Sequence, residues 1–205
     1  MPLIARLKNF LRARTQRWAP AALKKALWDQ EYSAGRLDYC EDTRGDAVYP
    51  ILAAHAVGGS ILDLGCGHGN TGSELPAECY AIYTGIDVSE VAIQRARVRA
   101  VASGRGGKNS YQQGDILGYV PTQPHDVILF RESLYYFPRC RIAPLIDRLG
   151  RALKPRGVFI VTFYSADRYS RIIEELERHL ALVERISTAS GALILVVRPR
   201  AVSIG

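Results

Sequence analysis

The chain of 205 residues is 48% hydrophobic and 23% charged, ordinary usage for a globular protein long enough to form one substantial core. Its four cysteines (Cys40, Cys66, Cys79 and Cys140) include no C-x-x-C pair and no zinc-ligand spacing. That pattern argues against a disulfide framework or a structural metal site and fits a reducing cytosol. Because no apolar run approaches the roughly 20 residues that span a bilayer, we expect a cytoplasmic protein.

The net charge of +7 belongs to one end of the chain. Residues 1–28 hold seven Lys and Arg residues and no acid, so the rest of the chain is balanced. Electrostatic binding of nucleic acid requires a basic surface beside the active site, and the bulk charge of the main body indicates none. Nucleic acid is therefore not an expected partner.

Residues 1–19 are predicted to form a basic amphipathic N-terminal arm. Its apolar residues recur at helical spacing: Ile4, Leu7, Leu11 and Trp18. Lys8 and Arg12 interrupt the apolar run that a signal peptide needs. Two interpretations remain for the arm: it packs on the domain or is poorly ordered, or it contacts a membrane surface or another anionic partner.

After Pro20 we expect a single domain over residues 20–205, with a helical lid at 20–57 and a core at 58–205. The predicted strands are Ser60–Leu64, Tyr80–Ile86, Tyr111–Gln113, His125–Phe130, Val158–Phe163, Leu182–Ser187 and Ala192–Arg198, the last two as an antiparallel pair. The predicted helices follow the first strand to Leu75, run from Ser89 to Ala102, and carry the apolar faces Ile142–Leu153 and Ile172–Leu180, with a turn at 154–157.

This alternation predicts an α/β fold with a Rossmann-like, seven-stranded, mainly parallel sheet, an antiparallel last strand and helices on both faces. Ligands of such sheets bind beyond the carboxyl ends of the strands, where the strand order reverses.

A glycine-rich turn follows the first predicted strand. Gly65, Gly67 and Gly69 let the backbone turn sharply and approach a ligand closely. Residues 67–72 also satisfy G-x-G-x-x-G, so a nicotinamide cofactor remains an alternative. The additional Gly65, and an acid at Asp63 where it could meet the cationic end of a ligand, favour a different cofactor.

The run from Ile61 to Asn70 resembles the signature loop of class I S-adenosylmethionine-dependent methyltransferases. Further segments match the family in order: residues 85–89 resemble the strand end whose acid holds the ribose hydroxyls, residues 113–116 resemble the loop whose Asp meets the adenine amino group, and residues 153–158 resemble the turn before the fifth strand. Arg156 departs from the usual glycine of that turn. The resemblance covers about residues 28–200.

The cofactor implied by this resemblance is S-adenosyl-L-methionine. The residues that it places around the cofactor are Tyr32, Asp63, Gly65, Cys66, Gly67, Gly69, Asp87, Val88, Asp115, Ile116 and Arg131. From the residues alone, Asp87 could instead only cap a helix and Asp115 only form a turn. His68 is expected to face solvent.

Residues 28–35 resemble the W-x-x-x-Y-x-x-G segment of bacterial small-molecule methyltransferases, in which the tyrosine closes over the methionine end of the cofactor. For Trp28 we expect core packing. For Tyr32 a cofactor contact and a packing role both remain open.

Residues 130–138 follow the fourth predicted strand and resemble a run in the nodulation protein S group, which methylates an amino group. The candidate catalytic residues here are Glu132, Tyr135 and Tyr136. Glu132 would remove a proton from the acceptor or hold its amine; the alternative is an ion pair with Arg131 or with an arginine of the N-terminal segment. The tyrosines would wall a ring-shaped acceptor, with one of them facing the core.

The expected function is methyl transfer to an oxygen or nitrogen of a small molecule, such as a sugar or a secondary metabolite. Two alternatives remain: an RNA or protein methyltransferase anchored by the basic arm, and a catalytically silent cofactor-binding partner of another enzyme.

Overall fold

A computed structural model of the chain describes residues 18–38 and 43–200. Six α-helices lie in this part: α1 (Ala21–Ser33), α2 (Val48–Ala56), α3 (Asn70–Glu74), α4 (Glu90–Ala102), α5 (Arg139–Gly150) and α6 (Ala166–His179). Seven strands alternate with them: β1 (Ser60–Leu64), β2 (Ile82–Asp87), β3 (Asn109–Gln113), β4 (His125–Arg131), β5 (Leu153–Phe163), β6 (Ala181–Ser187) and β7 (Leu193–Arg198). Short 3₁₀ turns lie at Ala77–Cys79 and Leu134–Tyr136.

The strands form one sheet in the order β3-β2-β1-β4-β5-β7-β6. Strands β1 to β5 are parallel, and β7 runs antiparallel to both β5 and β6. The predicted fold class is confirmed. The strand order reverses between β1 and β4, and this is the position at which such a sheet offers a crevice for a ligand.

Both faces of the sheet are covered, because successive side chains of β4 pack alternately in two core clusters on opposite faces. Val127 and Leu129 pack in one core cluster with Leu52 of α2 and Ile93 of α4. Ile128 and Phe130, which point the opposite way, pack in the second cluster with residues of α5 and α6. The carboxyl ends of the strands remain open between these two layers.

The predicted boundary between α5 and β5 is wrong. The apolar face of α5 was expected to reach Leu153 and to be followed by a turn at 154–157, but α5 ends at Gly150 and β5 already begins at Leu153. Pairing with β4 extends the strand backwards: Leu153 lies opposite His125, and the register shifts between His125 and Val127. Such an irregularity accommodates Pro155, because it leaves one position without a ladder hydrogen bond.

Helix α1 is attached to the carboxyl edge of the sheet through Asp29. The Asp29 carboxylate accepts hydrogen bonds from the Ser89 hydroxyl (2.6 Å) and the Val91 amide (3.2 Å) at the start of α4. Lys25, one turn earlier, pairs with the same carboxylate at 2.6 Å. The predicted lid is therefore helical over 21–33 and 48–56, while the described residues between these helices form turns.

The N-terminal arm falls outside the described residues except for its last two positions. Within the described part, none of the helices is long and apolar enough to cross a membrane.

Candidate active site

A cavity of about 640 Å³ lies at the carboxyl ends of β1, β2 and β4, beneath α1. Every residue predicted to be catalytic or to contact the cofactor lines it, with the exception of Gly69: Tyr32, Asp63, Gly65, Cys66, Gly67, Asp87, Val88, Asp115, Ile116, Arg131, Glu132, Tyr135 and Tyr136. Residues separated by about 100 positions in sequence are thus brought to one site.

The glycine loop has a backbone that other residues rarely adopt. Gly65 has φ +90° and Gly67 has φ +52°. A Cβ on Gly65 would lie 2.5 Å from the Cβ of Ser133, and one on Gly67 would lie 3.0 Å from the Tyr32 hydroxyl. Gly69 has another role. A Cβ on this residue would lie 2.9 Å from the Cβ of Ala96 in α4, so the glycine lets the loop pack closely on that helix.

Asp87 ends β2 and ties the glycine loop to it. Its Oδ2 accepts a hydrogen bond from the Gly67 amide (3.0 Å) and its Oδ1 accepts one from the Ser89 amide (2.9 Å). Burial raises the pKa of this carboxyl to about 6, although both amides favour the charged form. The carboxylate is consequently fixed in position at the edge of the cavity.

Asp63 near the end of β1 is a buried carboxylate with an unused oxygen. Its side chain is almost fully enclosed, at 1% exposure. Oδ2 accepts a hydrogen bond from the Tyr83 hydroxyl, whereas Oδ1 has no donor within hydrogen-bond distance among the described residues, although the nearby Thr71 hydroxyl favours the charged form of the carboxyl. Burial raises the pKa of Asp63 to about 6. A buried acceptor without a donor is costly, so Oδ1 is suited to a cationic or hydrogen-bonding ligand group.

Arg131 at the end of β4 joins residues 43–49 to the sheet. Its guanidinium donates to the Asp46 carboxylate, to the Thr43 hydroxyl (3.1 Å) and to the Thr71 hydroxyl (3.3 Å). Burial alone would lower the pKa of Arg131, but Tyr49 and Asp46 outweigh burial and the pKa is raised. The ion-pair partner is therefore Asp46, and the alternative pairing of Arg131 with Glu132 is not found among the described residues.

Glu132 bridges the ends of β4 and β5. Its Oε1 accepts a hydrogen bond from the Thr162 hydroxyl (2.7 Å), and its Oε2 accepts from the Tyr164 amide (2.9 Å) and the Tyr135 hydroxyl (3.1 Å). The backbone has φ +53°, which is unusual for a residue with a side chain, and the Glu132 amide in turn donates to Thr162. Burial raises the pKa of the carboxyl.

Aromatic rings enclose the cavity beside Glu132. The Tyr135 ring stacks on Tyr169 at 4.2 Å between centroids and is buried. Tyr136 is exposed and meets Trp28 edge-on at 5.0 Å. Tyr164 meets Tyr135 edge-on at 5.8 Å and also lines the cavity. Of the two candidate tyrosines, Tyr135 packs inward and Tyr136 lies towards solvent.

Two sequence-based interpretations are corrected here. Trp28 was expected in the core, but it is half-buried and lines the cavity, because α1 lies across the carboxyl edge of the sheet and not on one of its faces. His68 was expected to face solvent, but it is only 3% exposed, since Tyr32 of α1 covers it with an edge-on contact of 4.7 Å.

Lys24 and Tyr164 are among the cavity residues that the sequence did not predict. Lys24 of α1 lines the cavity and pairs with Asp115 at 3.5 Å, and no local pattern distinguishes it from Lys25. Tyr164 directly follows β5, so the rule that ligands bind beyond strand ends would have identified it.

The described residues fit S-adenosylmethionine on two structural grounds. The unpaired Oδ1 of Asp63 is a ready acceptor for an ammonium group inside the cavity. Gly65 and Gly67 leave space where a Cβ would meet Ser133 or Tyr32.

The comparisons with known proteins agree with this geometry. The family profile of a methyltransferase domain matches residues 61–157. Among solved structures, N-methyltransferase NodS from Bradyrhizobium japonicum WM9, in complex with S-adenosyl-L-homocysteine, superposes with a TM-score of 0.63 at 23% identity, covering 81% of this chain and 91% of that one. A methyltransferase domain therefore occupies residues 61–157 of this chain.

Curated relatives of this chain match it over part of their own length. Carboxy-S-adenosyl-L-methionine synthase of Wolinella succinogenes is 36% identical over 106 residues, which are 50% of this chain and 43% of that protein. Fatty-acid O-methyltransferase of Mycolicibacterium smegmatis is 33% identical over 138 residues, 65% of this chain and 47% of that protein. The chain thus spans less than half of the length of these relatives.

Proposed function

We propose that this protein transfers a methyl group from S-adenosylmethionine to an oxygen or nitrogen of a small molecule, such as a sugar or a secondary metabolite. The observation that carries the proposal is the cavity of about 640 Å³, whose lining includes buried carboxylates and several aromatic rings. Its volume is typical of sites for small ligands. The names of relatives, such as the fatty-acid O-methyltransferase, support a small acceptor.

The cofactor side comprises the glycine loop and the acids around it. When bound, S-adenosylmethionine supplies an electrophilic methyl group on a sulfonium sulfur. Asp87 would accept from the ribose hydroxyls, Asp63 would accept from the ammonium group, and Arg131 with Thr71 would face the carboxylate. Asp115 would accept from the adenine amino group. The remaining proposed contacts are Tyr32, Gly65, Cys66, Gly67, Val88 and Ile116, with Gly69 supporting the loop from behind.

The acceptor side comprises Glu132, Tyr135 and Tyr136. Glu132 is held by three donors, so its carboxylate keeps a fixed position at the cavity wall. Because burial raises its pKa, the carboxylate is a stronger base than an exposed one and is suited to take a proton from the acceptor. The rings of Tyr135 and Tyr136 would limit where the acceptor can lie and so orient its nucleophile.

A substitution of Glu132 tests this assignment. Glu132→Gln keeps the shape but removes the basic oxygen, and a positioned base contributes roughly 10²–10⁴-fold, so kcat should fall by that order. Affinity for S-adenosylhomocysteine, measured by calorimetry, should stay nearly constant because the proposed cofactor contacts are elsewhere. Glu175→Gln is the matched control, since Glu175 is paired with Arg139 on the surface.

The acceptor class is tested by transfer of a labelled methyl group to a panel of sugars, aminosugars, phenols, fatty acids, RNA and protein. Labelling of a small molecule supports the proposal. Labelling of RNA or protein alone would overturn it. If Glu132→Gln lowers only the melting temperature and leaves turnover per folded molecule intact, Glu132 is a structural bridge and not a base.

A further inference from the structure

Lys24 is a buried cation on the lid helix α1. Lys24 is only 7% exposed, although most other residues in the first two turns of α1 are exposed. Lysine is rarely buried without a partner, because removing the ammonium from water is costly. The partner is Asp115, whose Oδ2 lies 3.5 Å from the Lys24 Nζ.

The Lys24–Asp115 pair forms a partition at one end of the active-site cavity. Both residues line the main cavity and also a smaller cleft of about 310 Å³ next to it. Trp18, Pro138 and Arg141 also line that cleft. The two side chains thus present a donor and an acceptor next to each other at the end of the main cavity.

Asp115 is held in a fixed orientation. Its Oδ1 accepts a hydrogen bond from the Leu117 amide at 3.2 Å. Arg148 of α5 donates to the Ile116 carbonyl (3.0 Å) and to the Leu117 carbonyl (2.8 Å), so the loop after β3 is anchored from behind. Oδ2 is left as the oxygen that meets Lys24.

We propose that Lys24 determines cofactor specificity by donating a hydrogen bond to a ring nitrogen of adenine. The inference rests on the proposed placement of adenine at Asp115. Adenine presents a donor, its 6-amino group, with an acceptor ring nitrogen on either side, N1 or N7. Asp115 accepts from the amino group while the adjacent Lys24 donates to one of these nitrogens, so the pair reads two neighbouring atoms of opposite character.

Analogues of S-adenosylhomocysteine that lack one ring nitrogen test this directly by calorimetry. Replacing N1 or N7 by carbon (the 1-deaza and 7-deaza forms) should weaken binding to the wild type in one of the two cases by about tenfold or more, the value of a hydrogen bond to a charged group. The 3-deaza form, whose altered atom does not flank the amino group, should bind like the parent compound.

Lys24→Met completes the test. This variant should lose about tenfold or more in affinity for S-adenosylhomocysteine and should no longer distinguish it from the sensitive deaza form. Lys154→Met is the matched control, because Lys154 also pairs with an aspartate, Asp126, at 2.6 Å and does not line the cavity. It should bind all the compounds as the wild type does.

Three results would overturn the inference: wild-type protein that binds the 1-deaza and 7-deaza forms as tightly as the parent, Lys24→Met that still distinguishes them, or Lys24→Met with unchanged affinity. The first result does not depend on the folding of any variant. Asp115→Ala separates this failure from failure of the proposed cofactor placement. If Asp115→Ala leaves affinity unchanged, adenine lies elsewhere; if it weakens binding while Lys24→Met does not, only the role of Lys24 is wrong.

Discussion

Asp63 and Asp87 are two carboxyl groups whose ionised forms are disfavoured by burial. Their pKa values rise from the ordinary 3.8 to about 6. In the folded protein each group therefore binds a proton more tightly than in the unfolded chain. The resulting stabilisation is fully present below about pH 4 and is lost as the pH rises through about 6, at about 3 kcal/mol per carboxylate. At neutral pH both groups are ionised at a cost to stability.

The proposed cofactor contacts stabilise the ionised forms of Asp63 and Asp87. We therefore predict that cofactor binding depends on pH. An ammonium group favours the ionised form of Asp63, and a proton competes with it. Affinity for S-adenosylhomocysteine should therefore fall as the pH drops below about 6, which calorimetry between pH 5 and 8 would show. Asp63→Asn should bind weakly at every pH, whereas Asp147→Asn, a surface carboxylate paired with His179, should behave as the wild type. A flat profile for the wild type would contradict the placement of the ammonium group.

At the scale of elements, α1 is held over the cavity by a few polar contacts. Asp29 accepts from Ser89 and Val91 of α4, and these bonds together with Lys25 lower its pKa despite the opposing effect of burial. A carboxyl with a lowered pKa stabilises the fold above the pKa of the unfolded chain. That contribution is lost as the pH falls through the folded value.

Removing the Asp29 carboxylate should loosen the lid. We predict that Asp29→Ala increases hydrogen exchange over residues 21–33 and speeds dissociation of S-adenosylhomocysteine, because hydrogen bonds to a charged group are worth about 1.5–3 kcal/mol. Gln30→Ala, at an exposed position of the same helix, is the control and should change neither. Faster exchange across the whole sheet would instead mean that α1 is part of the cooperative core.

The sequence predicted the elements well where local signals and burial agree. Ser60–Leu64 is a strand at the predicted positions. Ser89 caps α4 by accepting a hydrogen bond from the Ala92 amide, as expected for a serine directly before a helical segment. The early start of β5 was missed because it depends on pairing with β4, about 30 residues earlier, which outweighs the local signal of Pro155 and Gly157.

The predicted glycine loop lies at the cavity, whereas the surroundings of several side chains were not predicted. The spacing of Gly65 and Gly67 identifies a backbone that approaches a ligand, and both glycines line the cavity. The surroundings of Trp28 and Glu132 could not be predicted from the local sequence. Trp28 faces the cavity because of where α1 crosses the sheet, and Glu132 meets Thr162 and Tyr164 because β4 and β5 are neighbours. Such contacts are set by tertiary arrangement and have no local sequence signal.

At the scale of the whole molecule, most of the positive charge lies before α1. Five of the seven basic residues that account for the net charge of +7 lie within residues 1–18, and the other two, Lys24 and Lys25, lie on α1. A protein that starts at Ala19 should therefore stay folded and bind S-adenosylhomocysteine like the full chain, as checked by circular dichroism and calorimetry. Turnover of a small acceptor should also survive the truncation.

The same truncation tests the interaction proposed for the arm. If the arm contacts anionic surfaces, the full chain should co-sediment with vesicles containing anionic lipids and the shortened protein should not. Equal sedimentation of both forms would contradict that role. Unfolding of the shortened protein would show that the arm belongs to the core.

The proposed cofactor side of the cavity lies deeper than the proposed acceptor side. Asp63 and Asp87 are buried at the bottom, whereas Tyr136 and Tyr164 are exposed at the rim. An acceptor held between the rim tyrosines would stand in the path of anything entering or leaving the deeper half. Turnover should then follow a compulsory order, in which the donor enters first and S-adenosylhomocysteine departs last. S-adenosylhomocysteine should consequently inhibit competitively against the donor and non-competitively against the acceptor, so the enzyme would stall wherever that by-product accumulates.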